Sequence, residues 1–185
     1  ALDADTIHLR INSPGGDVFD GRAMATALRN HKAKVIAHID GQACSAATYI
    51  ALAADEVEIA DGGFFMIHNA WTMAMGNSGD LLETAALLDK VDASIVADYQ
   101  RKTGKSAEQI AQWMADTTWF TAQEAVENGF ADRIMEGQKA AKNQWNLDAY
   151  GNAPAALMNK ETEQEPEIDR AALERRLSLL EKIAL

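Results

Sequence analysis

Val35-Ile36-Ala37-His38-Ile39-Asp40-Gly41-Gln42-Ala43-Cys44-Ser45-Ala46-Ala47-Thr48-Tyr49-Ile50-Ala51-Leu52-Ala53-Ala54 reads as a strand that stops at a glycine and restarts as a helix. The apolar β-type run covers Val35 to Ile39, the small residues that follow carry one serine, and the alanine-rich remainder favours a helix. Such a corner presents the Ser45 side chain and the free N–H groups of the helix start at one place. A nucleophilic serine needs that combination, exposure together with donors for the charge it creates. A serine after a glycine turn also serves as a plain helix N-cap. The rest of the chain decides between the two.

Working outward, Thr6 to Ile11 alternates apolar and polar side chains, the pattern of a strand with one buried face. It runs into Asn12-Ser13-Pro14-Gly15-Gly16-Asp17, a dense turn signal, and Val18 to Asn30 then reads as a helix. On the other side, Asp55 to Ala60 and Gly63 to Ile67 read as two short strands. The order β-α-β-α-β-β argues for an α/β layered domain. Asn69 to Gly79 is loop-like but holds Trp71, Met73 and Met75, apolar groups that suit a covered binding surface or a subunit contact. Asp80 to Thr103 is a long helical pattern, expected to project beyond a small domain, and Gly104 ends it. Ser106 to Met114 reads as a short helix, Trp119-Phe120 as a brief strand, Thr121 to Gly129 as a helix opened by a capping box, and Phe130 to Met135 as a last strand. Residues 1–135 therefore form the domain, 136–160 a linker or extended arm, and 161–185 a charged tail whose Leu173, Leu177 and Leu180 make a short amphipathic helix.

The 185 residues carry a net charge of -11, which argues against nucleic acid as the main partner. No apolar run reaches membrane-spanning length, so no membrane span is expected. A single cysteine, Cys44, excludes an internal disulfide and any multi-cysteine metal site. Neither a metal nor another cofactor is expected, and nothing resembles a nucleotide-binding loop. Ala1 is not an initiator methionine and a core strand follows within a few residues, so an N-terminal segment of the natural protein is expected to be missing.

Among the four histidines, His8, His31 and His38 suit surface or structural roles. His68 follows the apolar run Phe64 to Ile67 and precedes a loop, at a strand end where a scaffold hands a side chain to a site. In a parallel sheet such ends collect at one edge, so His68 could activate Ser45. Gly15-Gly16 closes another strand, and paired glycines let backbone N–H groups approach a ligand as an oxyanion hole requires. Donor turn, serine corner and histidine together are far more specific than any one of them.

Ile11-Asn12-Ser13-Pro14-Gly15-Gly16, Gly41-Gln42-Ala43-Cys44-Ser45, Met66-Ile67-His68 and Ala122 to Asp132 resemble, in order and at similar spacing, the Clp protease proteolytic subunit family, from about Thr6 to Ile134. Within it, Asn12 to Gly21 and Thr118-Trp119-Phe120-Thr121-Ala122 look most like the head maturation (prohead) proteases of tailed phages and prophages. The resemblance implies the α/β ClpP/crotonase-like fold, with repeated β-β-α spiral units and a protruding handle helix, and a serine endopeptidase. Carried over by position, Ser45 matches the nucleophile, His68 the general base, and the backbone N–H groups of Gly16 and Ala46 the oxyanion-hole donors. The family's aspartate position falls on Thr117, with Asp116 one residue earlier. A carboxylate is the better orienter of an imidazole, so Asp116 is expected to complete the triad after a small local shift, with Thr117 the literal match.

The resemblance further implies protein or peptide substrates, scaffold or capsid-assembly proteins in the phage reading, a ring-like homo-oligomer, and residence in the bacterial host cytoplasm within an assembling procapsid. The protease would be ATP-independent. The competing readings are a cellular Clp-type degradative subunit working with an ATPase, a crotonase-like acyl-CoA enzyme that needs no nucleophile, and an inactive scaffold. The tail is expected to bind a neighbouring subunit or a capsid partner.

Overall fold

The computed structural model describes residues 4–143 and 145–158. The charged tail and its expected amphipathic helix lie outside the described residues. The chain builds β1 (Thr6–Ser13), α1 (Val18–Arg29), β2 (Lys34–Cys44), α2 (Ala46–Ala51), β3 (Glu56–Asp61), β4 (Phe64–Ile67), α3 (Ser78–Thr103), α4 (Ala107–Ala115), β5 (Thr118–Thr121), α5 (Ala122–Glu127) and β6 (Arg133–Lys139). This is the α/β order expected.

β2 is the axis of the six-stranded sheet. Its first half pairs in parallel with β1 from Thr6↔Lys34 to Ile11↔Ile39, and on its other side with β3 from Ile36↔Glu56 to Ile39↔Ile59. Its last three residues, Gln42 to Cys44, pair in parallel with Phe64 to Met66 of β4. β6 extends the sheet in parallel beyond β3, and β5 runs antiparallel to β4.

Gly41 does not end β2. The strand runs on to Cys44 because both of its halves have partners. Gly41 sits instead at a close approach: a Cβ there would lie 2.8 Å from Asn12 Oδ1 and 3.0 Å from the Ala141 carbonyl oxygen. The last strand is also shifted. It was expected over Phe130 to Met135, yet Phe130 and Ala131 turn back onto α5 by donating to the Ala125 carbonyl, and pairing begins only at Arg133.

Every second residue of β2 from Val35 to Ile39 is buried, as are all residues from Gly41 to Cys44. Phe65, Phe120 and Phe130 form an aromatic cluster, with ring centroids 4.9 Å (Phe65–Phe130) and 5.0 Å (Phe120–Phe130) apart. Each such ring, fully buried, contributes roughly 2–3 kcal/mol. The cluster fixes β4 against β5, and that pair carries two of the segments around the site. α3 touches the core only through its second half, where Ile95 and Tyr99 are buried, while Leu81, Leu82 and Leu87 are exposed. Among the described residues, no helix is long and apolar enough to cross a membrane.

Residues 140–143 and 145–158 are tied back onto the sheet at several points. Ala140 and Ala141 donate to the Asp61 and Asp40 carbonyls, and Leu147 and Leu157 are buried. The buried Asn143 accepts from Gln42 Nε2 at 3.3 Å and donates to the Leu157 carbonyl at 2.6 Å, which ties this segment to the second half of β2.

Candidate active site

Because β1, β2 and β4 are parallel, their carboxyl ends lie at one edge of the sheet, and they lead into Pro14-Gly15-Gly16, Ser45 and His68 respectively. β5 is antiparallel to β4 with Thr118 opposite Ile67, so Asp116 and Thr117, just before β5, reach the same edge.

Ser45 occupies φ 53, ψ −126, a conformation that L-residues adopt only under constraint. Its N–H donates to the Met66 carbonyl at 2.9 Å, and its own carbonyl accepts from Thr48 N at 3.0 Å and from Thr48 Oγ1 at 2.5 Å. The backbone is thus held on both sides of the corner. The side chain makes no capping bond to α2, so it is not spent as an N-cap. Instead Ser45 Oγ lies 2.7 Å from His68 Nε2.

His68 is half-buried, and that burial alone holds its pKa below the ordinary histidine value. The neutral imidazole is therefore favoured near pH 7, and Nε2 accepts the serine proton in the tautomer that carries its hydrogen on Nδ1. Among the described residues, Ser45 is the one hydrogen-bonding partner of His68.

Gly15 has φ 102 and lies against the serine corner: a Cβ there would be 2.6 Å from the Cys44 carbonyl oxygen and 3.2 Å from Ala46 N. Gly16, by contrast, faces open space, with nothing within 4 Å of the position a Cβ would take. The Gly16 and Ala46 backbones therefore flank Ser45, with room at Gly16 for a ligand atom. Ser45 and His68 line a cavity of about 230 Å³ together with Phe19, Trp71, Leu88 and Val91. Its wall suits an apolar side chain. Cys44, next to the serine, is fully buried and its thiol is pushed far up by desolvation, so it offers no competing nucleophile.

Asp116 is not brought to His68. It is exposed at the end of α4, where its carboxylate accepts from Gln112 Nε2 at 2.9 Å and its carbonyl accepts from Asn152 Nδ2 at 2.9 Å. The α4 C-cap conformation turns the side chain along its own helix instead of across to β4. Thr117 next to it has φ 50, an outlier for a β-branched residue.

Tyr150 does reach the site, although its stretch has no periodicity that would mark it. Its ring meets His68 edge-on, centroids 5.1 Å apart at 84°, and its hydroxyl donates to the Pro14 carbonyl at 2.7 Å.

A hydroxyl held at a neutral imidazole, on a constrained strand-to-helix corner of a parallel α/β sheet, defines a protein of the serine-hydrolase class. The comparisons with known proteins narrow that class. Residues 2–138 match the family described as Clp protease, and the chain belongs to that family of serine peptidases. It is similar to the ATP-dependent Clp protease proteolytic subunit of Streptococcus sanguinis (strain SK36), 33% identical over 145 residues, covering 70% of this chain and 68% of that one. The subunit of the same name from Streptococcus equi subsp. equi (strain 4047) is 31% identical over 147 residues, covering 73% of this chain and 71% of the relative. That of Streptococcus pneumoniae (strain Hungary19A-6) is 33% identical over 138 residues, covering 70% and 68%.

Proposed function

We propose that the chain is a serine endopeptidase in which Ser45 attacks the scissile carbonyl and His68 takes the Oγ proton, then delivers it to the leaving amine. The observation that carries this is the 2.7 Å separation of Ser45 Oγ and His68 Nε2 at a corner whose hydroxyl caps nothing. The Gly16 and Ala46 N–H groups are the proposed donors to the tetrahedral oxyanion, which the open space at Gly16 supports. Asp116 serves as third triad member in this reading only if it leaves Gln112 on substrate binding. An acyl-CoA enzyme would not need this serine–histidine pair. Fluorophosphonate labelling tests the assignment: wild type should be modified at Ser45, and Ser45→Ala and His68→Ala should not. Labelling that survives in His68→Ala would remove the base.

Two biological settings suit such an endopeptidase. The relatives, named as subunits of an ATP-dependent protease, favour a degradative subunit served by a separate ATPase. The Asn12 to Gly21 and Thr118 to Ala122 stretches favour an ATP-independent prohead-type protease that cuts scaffold or capsid proteins. Cleavage of an unstructured protein by the purified chain without nucleotide supports the second setting; a strict need for a nucleotide-hydrolysing partner supports the first. In either, a homo-oligomer is proposed, since Leu81, Leu82 and Leu87 on α3 and Met73 and Met75 before it are exposed apolar groups.

A further inference from the structure

The segment after β6 lies beyond residue 138, where the family match ends, yet it is built into the site edge. Leu147 anchors it in the core, and Tyr150 N donates to the Leu147 carbonyl at 2.9 Å, which fixes the Tyr150 backbone relative to that anchor. On the far side Trp119 Nε1 donates to the Gly151 carbonyl at 3.1 Å, and Asn152, in the left-handed region at φ 57, reaches the Asp116 carbonyl. The Tyr150 ring is also edge-on to Trp119, centroids 6.4 Å apart. Three anchors from separate elements thus over-determine one half-buried aromatic side chain. That side chain touches the base with its ring, and its hydroxyl reaches both the donor turn and the Ser45 side chain.

His68 needs such a contact. Its imidazole hangs from a strand end, and among the described residues no carboxylate holds its Nδ1 edge. Without a second restraint the ring can rotate away from Ser45, and a general base works only within hydrogen-bond reach. We infer that Tyr150 is a positioning residue for His68: its ring fixes the plane of the imidazole, and its hydroxyl couples that ring to the Gly15-Gly16 turn through the Pro14 carbonyl. This rests on the reading of Ser45 and His68 as nucleophile and base.

A merely structural tyrosine would change the amount of folded protein but not the titration of the base. A positioning tyrosine changes both rate and titration, because it also shields the imidazole from water. The titratable groups on the surrounding elements are Asp17, Cys44, Tyr49, Asp92, Tyr99 and Asp116, and burial is the cause of the His68 shift. Losing the Tyr150 ring should therefore move the His68 pKa up, toward the ordinary histidine value.

The experiment follows Ser45 modification by a fluorophosphonate across pH in the whole chain, for wild type, Tyr150→Phe and Tyr150→Ala. Tyr150→Ala should label about tenfold more slowly, with its acid limb displaced to higher pH. Tyr150→Phe should keep the wild-type acid limb and lose less rate. If Tyr150→Ala does not fold, Tyr150→Leu, which keeps apolar bulk without the aromatic edge, should label more slowly than Tyr150→Phe while keeping the wild-type acid limb. A wild-type acid limb in the folded Ala variant, or labelling of the Leu variant as fast as that of Tyr150→Phe, overturns the inference, as does faster labelling, which would make the segment a cover over the site. If wild type itself is not labelled at Ser45, the serine–histidine reading falls and takes this inference with it; labelled wild type beside an indifferent Tyr150 variant sinks the inference alone.

Discussion

Gly15 lies so close to Ser45 that a Cβ on the glycine would stand 2.7 Å from the serine Cβ, well inside any tolerated contact. The same added atom would meet the Cys44 carbonyl oxygen at 2.6 Å, and the φ of 102 is strained for any L side chain. Two strand ends are therefore locked together through a missing methyl group. Gly15→Ala should cost about 3 kcal/mol in urea unfolding, from strain and overpacking together. Because the clash pushes on the serine itself, labelling of the folded variant at Ser45 should also fall. A stable variant with unchanged labelling would show that the turn and the corner are not coupled.

His68 sets the pH dependence. The base acts only when neutral, and burial lowers its pKa, so the protonated form prevails only below the lowered value. Ser45 labelling in the wild type should hold constant as pH falls through the ordinary histidine value and decline only below it. The acid limb of the labelling rate checks this directly. A limb at or above the ordinary value would mean that the imidazole is solvated or paired with a negative charge.

Thr48 and Tyr99 give a stability prediction with a defined order. Thr48 Oγ1 donates to the Ser45 carbonyl, so the 2.7 Å contact between Thr48 Oγ1 and the Tyr99 hydroxyl has the tyrosine as donor. Thr48→Val removes both the donor to the Ser45 carbonyl and the acceptor of the buried Tyr99 hydroxyl, which keeps only Tyr49, and should cost about 2 kcal/mol. Tyr99→Phe leaves Thr48 still donating to Ser45 and should cost about 1 kcal/mol. Chemical denaturation of the two variants checks the order; a larger loss for Tyr99→Phe would reverse the donor assignment.

The sequence and the structure agree most where spacing carries the information. Alternation in Thr6 to Ile11 and Val35 to Ile39 marks two buried strands, and a parallel sheet then brings Gly16, Ser45 and His68 to one edge. Gly41 misleads because a glycine demanded by close packing against Asn12 and Ala141 looks, in sequence, like one demanded by a turn. Tyr150 was illegible for a different reason. Residues 140–158 have no helical or strand period, and their order comes from single anchors such as Leu147, Asn143 and Leu157. An isolated apolar residue in a polar stretch gives no local sign of what it docks on.

Asp116 and Thr117 show how far position alone can be trusted. Threonine at the family's aspartate position invites its acidic neighbour to substitute, but α4 ends with Asp116 as C-cap and gives that carboxylate to Gln112. To reach His68, Asp116 would have to break that bond and turn about a backbone already held by Asn152 at its carbonyl. Asp116→Asn keeps the size and the capping geometry and removes only the charge. It should label at Ser45 within about twofold of wild type, whereas loss of a true triad aspartate costs orders of magnitude. Thr117→Asn is the companion test. Asparagine tolerates the left-handed φ of 50 that a β-branched residue resists, so it should raise stability by about 1 kcal/mol without slowing labelling. A large loss of labelling in Asp116→Asn would mean that the carboxylate crosses to His68 when the site is occupied, and the orienting role would pass from Tyr150 back to the acid.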